Sequence, residues 1–189
     1  MTIGPLDLVL HMAQIFDDLR IPYALGGSLA SSLFGEPRST VDVDLAIRLD
    51  SGQGAALLER ATAEFYVPID AAQAAIQTRS SFNLIDTDNG LKVDLFVLGD
   101  GLLDRMQIAR RVEVTVPGAV KGIWVTSPED QVLRKLDWYR LGGAISDRQW
   151  RDVVGILRNR AGDIDLEYLT NTAREVGLAD LLADALTQP

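Results

Sequence analysis

Asp42 and Asp44 stand in the run Ser39-Thr40-Val41-Asp42-Val43-Asp44-Leu45-Ala46-Ile47, and Asp94 stands in Leu91-Lys92-Val93-Asp94-Leu95-Phe96-Val97. Both runs alternate as β-strands do, so Asp42 and Asp44 share one face while Val41, Val43 and Leu45 take the other. Asp94 shares a face with Lys92 and Phe96. If the two strands are neighbours, three carboxylates converge. Such a trio repels at neutral pH unless protons or a cation intervene. Oxygen ligands of this kind suit Mg2+, with Mn2+ as a substitute, and a few carboxylates plus phosphate oxygens are what magnesium prefers. Phosphoryl transfer uses that arrangement: metal ions clamp the attacking and departing oxygens, and a carboxylate accepts the proton of the incoming hydroxyl. On this reading Asp42, Asp44 and Asp94 are metal ligands, and Asp94 also lies near the attacking hydroxyl.

A second constellation lies just upstream. Gly26-Gly27-Ser28 lets the backbone approach a ligand closely, and the helix that follows offers free N–H groups to phosphate. Ser28 can donate to a terminal phosphate oxygen. Arg38, with Thr40 just before the acidic strand, can neutralise charge on a nucleoside triphosphate or on pyrophosphate. Asp-x-Asp alone is usually solvent-facing, and Gly-Gly-Ser alone is usually a turn. Their conjunction with a later acidic strand is the specific signal. Asp86 and Asp88 rank below Asp94 as a third ligand, because they sit in a turn where Asp serves the backbone.

These side chains need elements to hold them. Apolar spacing predicts a helix over 5–20, a short strand over 22–25 and a helix over 28–34 capped by Ser28. A strand over 41–48 and helices over 51–65 and 70–78 follow. Strands over 81–85 and 91–98 are joined by Thr87-Asp88-Asn89-Gly90, with its Asn-Gly turn signal. Further strands are expected over 111–116 and 122–125. After Thr126 the pattern turns helical. Ser127-Pro128-Glu129-Asp130 opens a helix to about 141, Asp147 caps another to about 160, and two short helices follow Gly162 and Gly177. The expected fold is α/β (α+β): a small mixed sheet flanked by helices over 1–126, with a C-terminal helical lobe over 127–189 packed on it.

The order of these features resembles the nucleotidyltransferase superfamily that includes DNA polymerase beta, through Gly26-Gly27-Ser28-Leu29-Ala30, Arg38 to Leu45, and Val93-Asp94-Leu95. The resemblance covers about two thirds of the chain. Ser127-Pro128-Glu129-Asp130-Gln131-Val132-Leu133-Arg134-Lys135-Leu136 and Arg148-Gln149-Trp150-Arg151-Asp152-Val153 look most like the minimal bacterial members, including toxins of abortive-infection toxin–antitoxin pairs. That resemblance implies transfer of a nucleoside monophosphate from a triphosphate to an acceptor hydroxyl. It implies the end of a transfer RNA as acceptor and an antitoxin protein as partner. It also carries Lys135 and Asp152 into the nucleotide site by residue type and order. A small-molecule acceptor such as an aminoglycoside hydroxyl is a second reading, and a non-catalytic nucleotide-binding or interaction protein is a third.

The residues of the helical lobe also have plainer explanations. Lys135 lies among Val132, Leu136 and Tyr139 and can either snorkel to water or reach a phosphate as a point charge. Asp152 can orient Lys135 or Arg148, contact base or ribose, or form a surface ion pair. Trp138, Tyr139 and Trp150 read as packing between lobes. Residues 127–160 carry seven basic and five acidic side chains, either a local basic face or a solvated helix surface.

Composition excludes other chemistries. The chain has 189 residues, no cysteine and one histidine, His11, read as structural or exposed. A disulfide framework, a thiol nucleophile and a Cys-based zinc site are therefore excluded, and a Ser-His-Asp triad is disfavoured. A net charge of −9 makes a poor general nucleic-acid binder. The Met1-Thr2-Ile3-Gly4-Pro5 start lacks a basic leader, and no apolar run reaches membrane-spanning length. A cytoplasmic protein is expected.

Overall fold

The computed structural model describes residues 4–188, so most of the Met1-Thr2-Ile3-Gly4-Pro5 start read for a leader lies outside the described residues. Among them, helix α1 (Pro5–Asp18) leads into strand β1 (Tyr23–Leu25), then α2 (Gly27–Phe34) and β2 (Asp42–Ile47). Helices α3 (Gln53–Thr62) and α4 (Ile69–Thr78) precede the hairpin of β3 (Ser81–Ile85) and β4 (Lys92–Val97). Helix α5 (Leu102–Ala109), β5 (Val112–Val114) and β6 (Ile123–Val125) complete the sheet. Helices α6 (Pro128–Leu141), α7 (Asp147–Asn159), α8 (Leu166–Glu175) and α9 (Ala179–Leu186) follow. No described helix is long and apolar enough to cross a membrane.

The six described strands form one mixed sheet in the order β3-β4-β2-β1-β6-β5. β2 runs antiparallel to β1 and parallel to β4, with Asp44 opposite Asp94 and Asp42 opposite Lys92. β3 closes the other edge of β4, with Asn83 opposite Asp94. Period-two alternation therefore sorts the sheet into two unlike faces. Val43, Leu45, Ile47, Val93 and Leu95 are buried on one face, in a core shared with Met12, Phe16 and Leu57 of the covering helices. Asp42, Asp44, Lys92, Asp94 and Asn83 stand on the other. Farther along this second face, Ala24 and Ala46 pack with Leu98 and Ile108 in a small apolar cluster.

Local chemistry explains where the elements start and stop. The Asn89-Gly90 turn forms as expected: Gly90 has φ +67°, and Asp86 accepts from the backbone N–H groups of Asp88 and Asn89. The side-chain amide of Asn89, and those backbone amides, hold the Asp86 carboxyl below its ordinary value. Ser127 caps α6 by accepting from Asp130 N–H at 3.2 Å, with Pro128 in the first turn. Two expected caps differ. Gly26, not Ser28, is the N-cap of α2, and Ser146, not Asp147, caps α7. Helix α5 was not foreseen. Its buried Leu103, Gln107 and Ile108 include a polar side chain that blurs the apolar spacing.

Helix α2 is held closely from above. Gly35, at its end, approaches the α7 backbone so tightly that an added Cβ would lie 3.0 Å from Ile156 N. Glycine is thus needed there for contact rather than for a turn. α7 in turn packs along α6, with the rings of Tyr139 and Trp150 at 5.2 Å between centroids.

Candidate active site

β2 and β4 set the carboxylates side by side. Their parallel pairing puts Asp44 and Asp94 in adjacent positions of one face, and Asp42 two residues before Asp44. Burial drives the Asp44 carboxyl above its ordinary value, and the charges of Asp94 and Asp42 raise it further. The ammonium of Lys135 and the Ser28 backbone N–H pull it back.

The cation nearest these acids belongs to the chain itself. Lys92 Nζ lies 2.7 Å from Asp94 Oδ2. That hydrogen bond holds the Lys92 ammonium above its usual range, with the charges of Asp94, Asp42 and Asp44 acting the same way. Among the described residues, no three acids are gathered closely enough to hold an ion as their side chains stand. The expected convergence is therefore present in strand pairing and charge but not in side-chain closure. Lys92 ties up Asp94, and Ser28 N–H ties up Asp44. The donor chemistry still fits an oxygen-preferring divalent ion, since three carboxylates share a face and burial, with the neighbouring charges, pushes Asp44 up. An ion held by Asp94 would share that carboxylate with the Lys92 ammonium.

The Gly-Gly-Ser turn meets this face directly. Gly26 N–H donates to Asp44 O at 2.8 Å, which continues the β1–β2 pairing into the turn. Gly27 has φ +58°, and a Cβ there would fall 1.8 Å from Asp44 Oδ2. Only glycine allows both the left-handed backbone and this approach. Gln131 of α6 fixes the turn from above, donating through Nε2 to Gly27 O at 2.6 Å and to Ser31 Oγ at 2.9 Å. Gln131 carries no signal of this role in the sequence. Its contacts span about a hundred residues of chain, and no local pattern signals them.

Arg38, Lys135 and Asp152 form one network beside Ser28. Asp152 is 9% exposed and accepts from Arg38 Nε at 3.2 Å, from Arg38 Nη2 at 3.3 Å and from Lys135 Nζ at 2.8 Å. Arg38 also donates to Ser28 Oγ. Lys135 is 6% exposed, so it is buried against Asp152 rather than snorkelled to water. Thr40 instead serves the backbone, its Oγ1 accepting from Asp42 N–H at 3.3 Å. The remaining charges of the helical segment are largely paired: Arg134 with Asp104, Arg140 with Asp137, and Arg160 with Asp163. Arg148 and Arg151 are exposed, so the net basic excess sits on a solvated surface. His11 lies on the far side of the fold and meets Glu64.

A cavity of about 370 Å3 opens on the polar face of the sheet. Gly26, Gly27, Ser28, Asp44 and Lys135 line it, together with Arg79, Phe96 and Trp138. The cavity therefore presents glycine backbone, a hydroxyl and the Lys135 ammonium to an anionic ligand beside Asp44, while Arg38, Asp42 and Asp94 are not among its lining residues.

The chain is similar in structure to an antigenic nucleotidyltransferase-like protein from Paracoccidioides brasiliensis. That likeness has a TM-score of 0.57 and 21% identity, and covers 97% of this chain and 92% of the other. It is also similar to ANT(2'')-Ia, solved in complex with adenylyl-2''-tobramycin, at a TM-score of 0.50 and 16% identity over 89% and 95% of the two chains. The fold is that of nucleotidyltransferase-like proteins. No family model matches the chain, and no curated protein matches its sequence.

Proposed function

We propose that the protein is a metal-dependent nucleotidyltransferase, moving a nucleoside monophosphate from a triphosphate to an acceptor hydroxyl and releasing pyrophosphate. The observation that carries this reading is the close approach of the Gly26–Ser28 turn to Asp44, with Asp94 in the next strand. Residues 1–126 would form the catalytic core, and 127–189 the lobe that closes over it.

Asp42, Asp44 and Asp94 would hold Mg2+ or Mn2+. The ion, when bound, supplies charge neutralisation and alignment of the phosphate oxygens. The chain's own groups do the rest. Gly26, Gly27 and Ser28 seat the phosphates against the start of α2. Arg38 and Lys135 exchange part of their contact with Asp152 for phosphate oxygens, and Asp152 keeps both cations oriented before substrate arrives. Asp94, free of Lys92, accepts the proton of the attacking hydroxyl.

The toxin-type resemblance extends this reading to a transfer-RNA end as acceptor and an antitoxin as protein partner. Wall charge does not choose between this acceptor and a polycation: Arg79, Arg134 and Lys135 line the cavity with Asp44 and Asp104, and Arg134 and Lys135 are already paired with Asp104 and Asp152. Incubation with each radiolabelled triphosphate, Mg2+ and either total RNA or an aminoglycoside panel tests this directly. Label in RNA is expected, and label in the antibiotics would favour the second acceptor class. An Asp42→Asn/Asp44→Asn variant with an unchanged circular-dichroism spectrum should lose transfer. Full activity in that variant sinks the proposal.

A further inference from the structure

The polar face of the sheet continues past the acids, and strand register orders what lies there. Ser81, Phe96 and Ala46 are cross-strand partners, each two residues along from the row of Asn83, Asp94 and Asp44 and on the same face. Leu98 lies two residues beyond Phe96, and Arg79 Nη1 donates to its carbonyl at 2.9 Å. That bond holds the guanidinium about 13 Å along the strand from the Asp94 backbone, at about 3.3 Å per residue.

Helix α6 lies over this face in the same order. Gln131 Nε2 meets Gly27 O at 2.6 Å, and Trp138 meets the ring of Phe96 nearly at right angles, with centroids 5.4 Å apart at 82°. The step from Gln131 to Trp138 advances the helix by about 10 Å. Trp138 therefore stands over the Phe96 row, displaced from the Gly26–Ser28 turn toward Arg79, and 48% of its surface is exposed. Gly27, Asp44, Phe96, Trp138 and Arg79 all line the one cavity.

Arg79 differs from the other cations of this wall. Arg134 is paired with Asp104 and Lys135 with Asp152, whereas Arg79, among the described residues, meets the Leu98 carbonyl and no carboxylate. It is exposed, and most of its five N–H donors stay open. Ser80 and Ser81, both exposed, line the cavity beside it. The signs of the wall are thus separated: the acid stands at the glycine turn, and the open cation lies two rows beyond it. We propose that Arg79 anchors a phosphate of the acceptor. The acceptor lies along this face with its hydroxyl toward the carboxylates, its body against Phe96 and Trp138, and its phosphate on the guanidinium, whose planar fork matches phosphate oxygens. An RNA end and a phosphorylated small molecule both offer that group. This inference rests on the proposed transfer reading and adds the residue that selects its acceptor.

The backbone supplies a clean variant. Arg79 ends α4 with φ +54°, a conformation that glycine adopts freely, so Arg79→Gly removes the cation without straining the fold, and its melting temperature should equal or exceed that of the unaltered protein. The test is calorimetric titration with a single-stranded hexaribonucleotide or with trehalose 6-phosphate, in Mg2+ and a non-hydrolysable ATP analogue. Arg79→Gly should weaken the hexaribonucleotide about tenfold and flatten the slope of log K against log salt by about 0.7, the loss of one phosphate contact on a single strand. Arg79→Lys should regain the slope and part of the affinity, since it keeps the charge and loses the fork. Affinity for the ATP analogue alone should stay within about twofold in both variants. Binding of trehalose 6-phosphate but not RNA, lost in Arg79→Gly, supports the anchor with a small acceptor. Unchanged binding in Arg79→Gly, no binding of either probe, or an equal loss for the ATP analogue overturns the anchor and leaves the transfer reading standing. Failure of the ATP analogue to bind the unaltered protein overturns the transfer reading and the anchor with it.

Discussion

Removing the Asp152 carboxylate is the sharpest test of the ion network beside Ser28. Asp152 and Lys135 have side-chain exposures of 7% and 8%, at a separation of 2.8 Å. Deleting one partner of such a pair leaves an uncompensated charge in a poorly solvated place, which costs about 3–5 kcal/mol. Arg38 is 27% exposed and keeps Ser28 as a partner, so it contributes little to that loss. Asp152→Ala should therefore destabilise by about 3–5 kcal/mol, or roughly 10 °C in a chain of this size. Lys135→Met leaves Asp152 paired with Arg38 and should cost only about 1–2 kcal/mol. The double variant has no orphaned lysine, so it should recover about 2 kcal/mol of the Asp152→Ala loss. Urea unfolding with unchanged m-values measures all three. A cost under about 1 kcal/mol for Asp152→Ala, or simple additivity in the double variant, would refute the idea that Asp152 is the counter-ion Lys135 needs.

Three other outcomes follow from the carboxylate face. Gly27→Ala forces a left-handed alanine with its Cβ onto Asp44, and should cost about 2 kcal/mol or more in urea unfolding; a neutral substitution would mean that the turn relaxes freely. Lys92→Met removes a positive charge beside the proposed ion site, so Mn2+ affinity, read by electron paramagnetic resonance, should rise about tenfold; weaker binding would show that Lys92 assists the ion instead. The Asp44 carboxyl is raised by burial and by its acidic neighbours, so the folded state gives up that proton at higher pH than the unfolded chain does. Its contribution to stability is greatest in acid and is lost as pH rises through the folded-state value. In chelator, Asp44→Asn should match the unaltered protein in acid and exceed its melting temperature at neutral pH, and a pH-independent difference would contradict this.

Much of the frame could be seen in the chain because short-range chemistry dictates it. The alternation in residues 41–48 and 91–98, the Asn89-Gly90 turn and the Ser127-Pro128 start all act within a few residues, and they appear as strands β2 and β4, a hairpin and α6. The relation between the strands was less accessible. Asp44 meets Asp94 only because β2 and β4 pair in parallel across two intervening helices and a strand. Lys92 was placed on the acidic face, yet its hold on Asp94 depends on side-chain reach rather than periodicity. Gln131 and Gln107 give no local signal for the same reason. A glutamine within a helix looks like solvated surface until the partner element is known. Trp138 and Trp150 are similar in sequence terms, and only the third dimension separates the half-exposed ring from the packed one.

The two unlike faces of the sheet also decide where the gene can gain or lose codons. Adding one residue inside β4 would keep a hydrogen-bonded ribbon but carry Asp94 into the oily layer and turn Leu95 outward to water. Length changes are thus barred from both acid-bearing strands, whereas the exposed bend at residues 87–90 can absorb them. Drift in this lineage should then appear as hairpins of varied length flanking segments of fixed length.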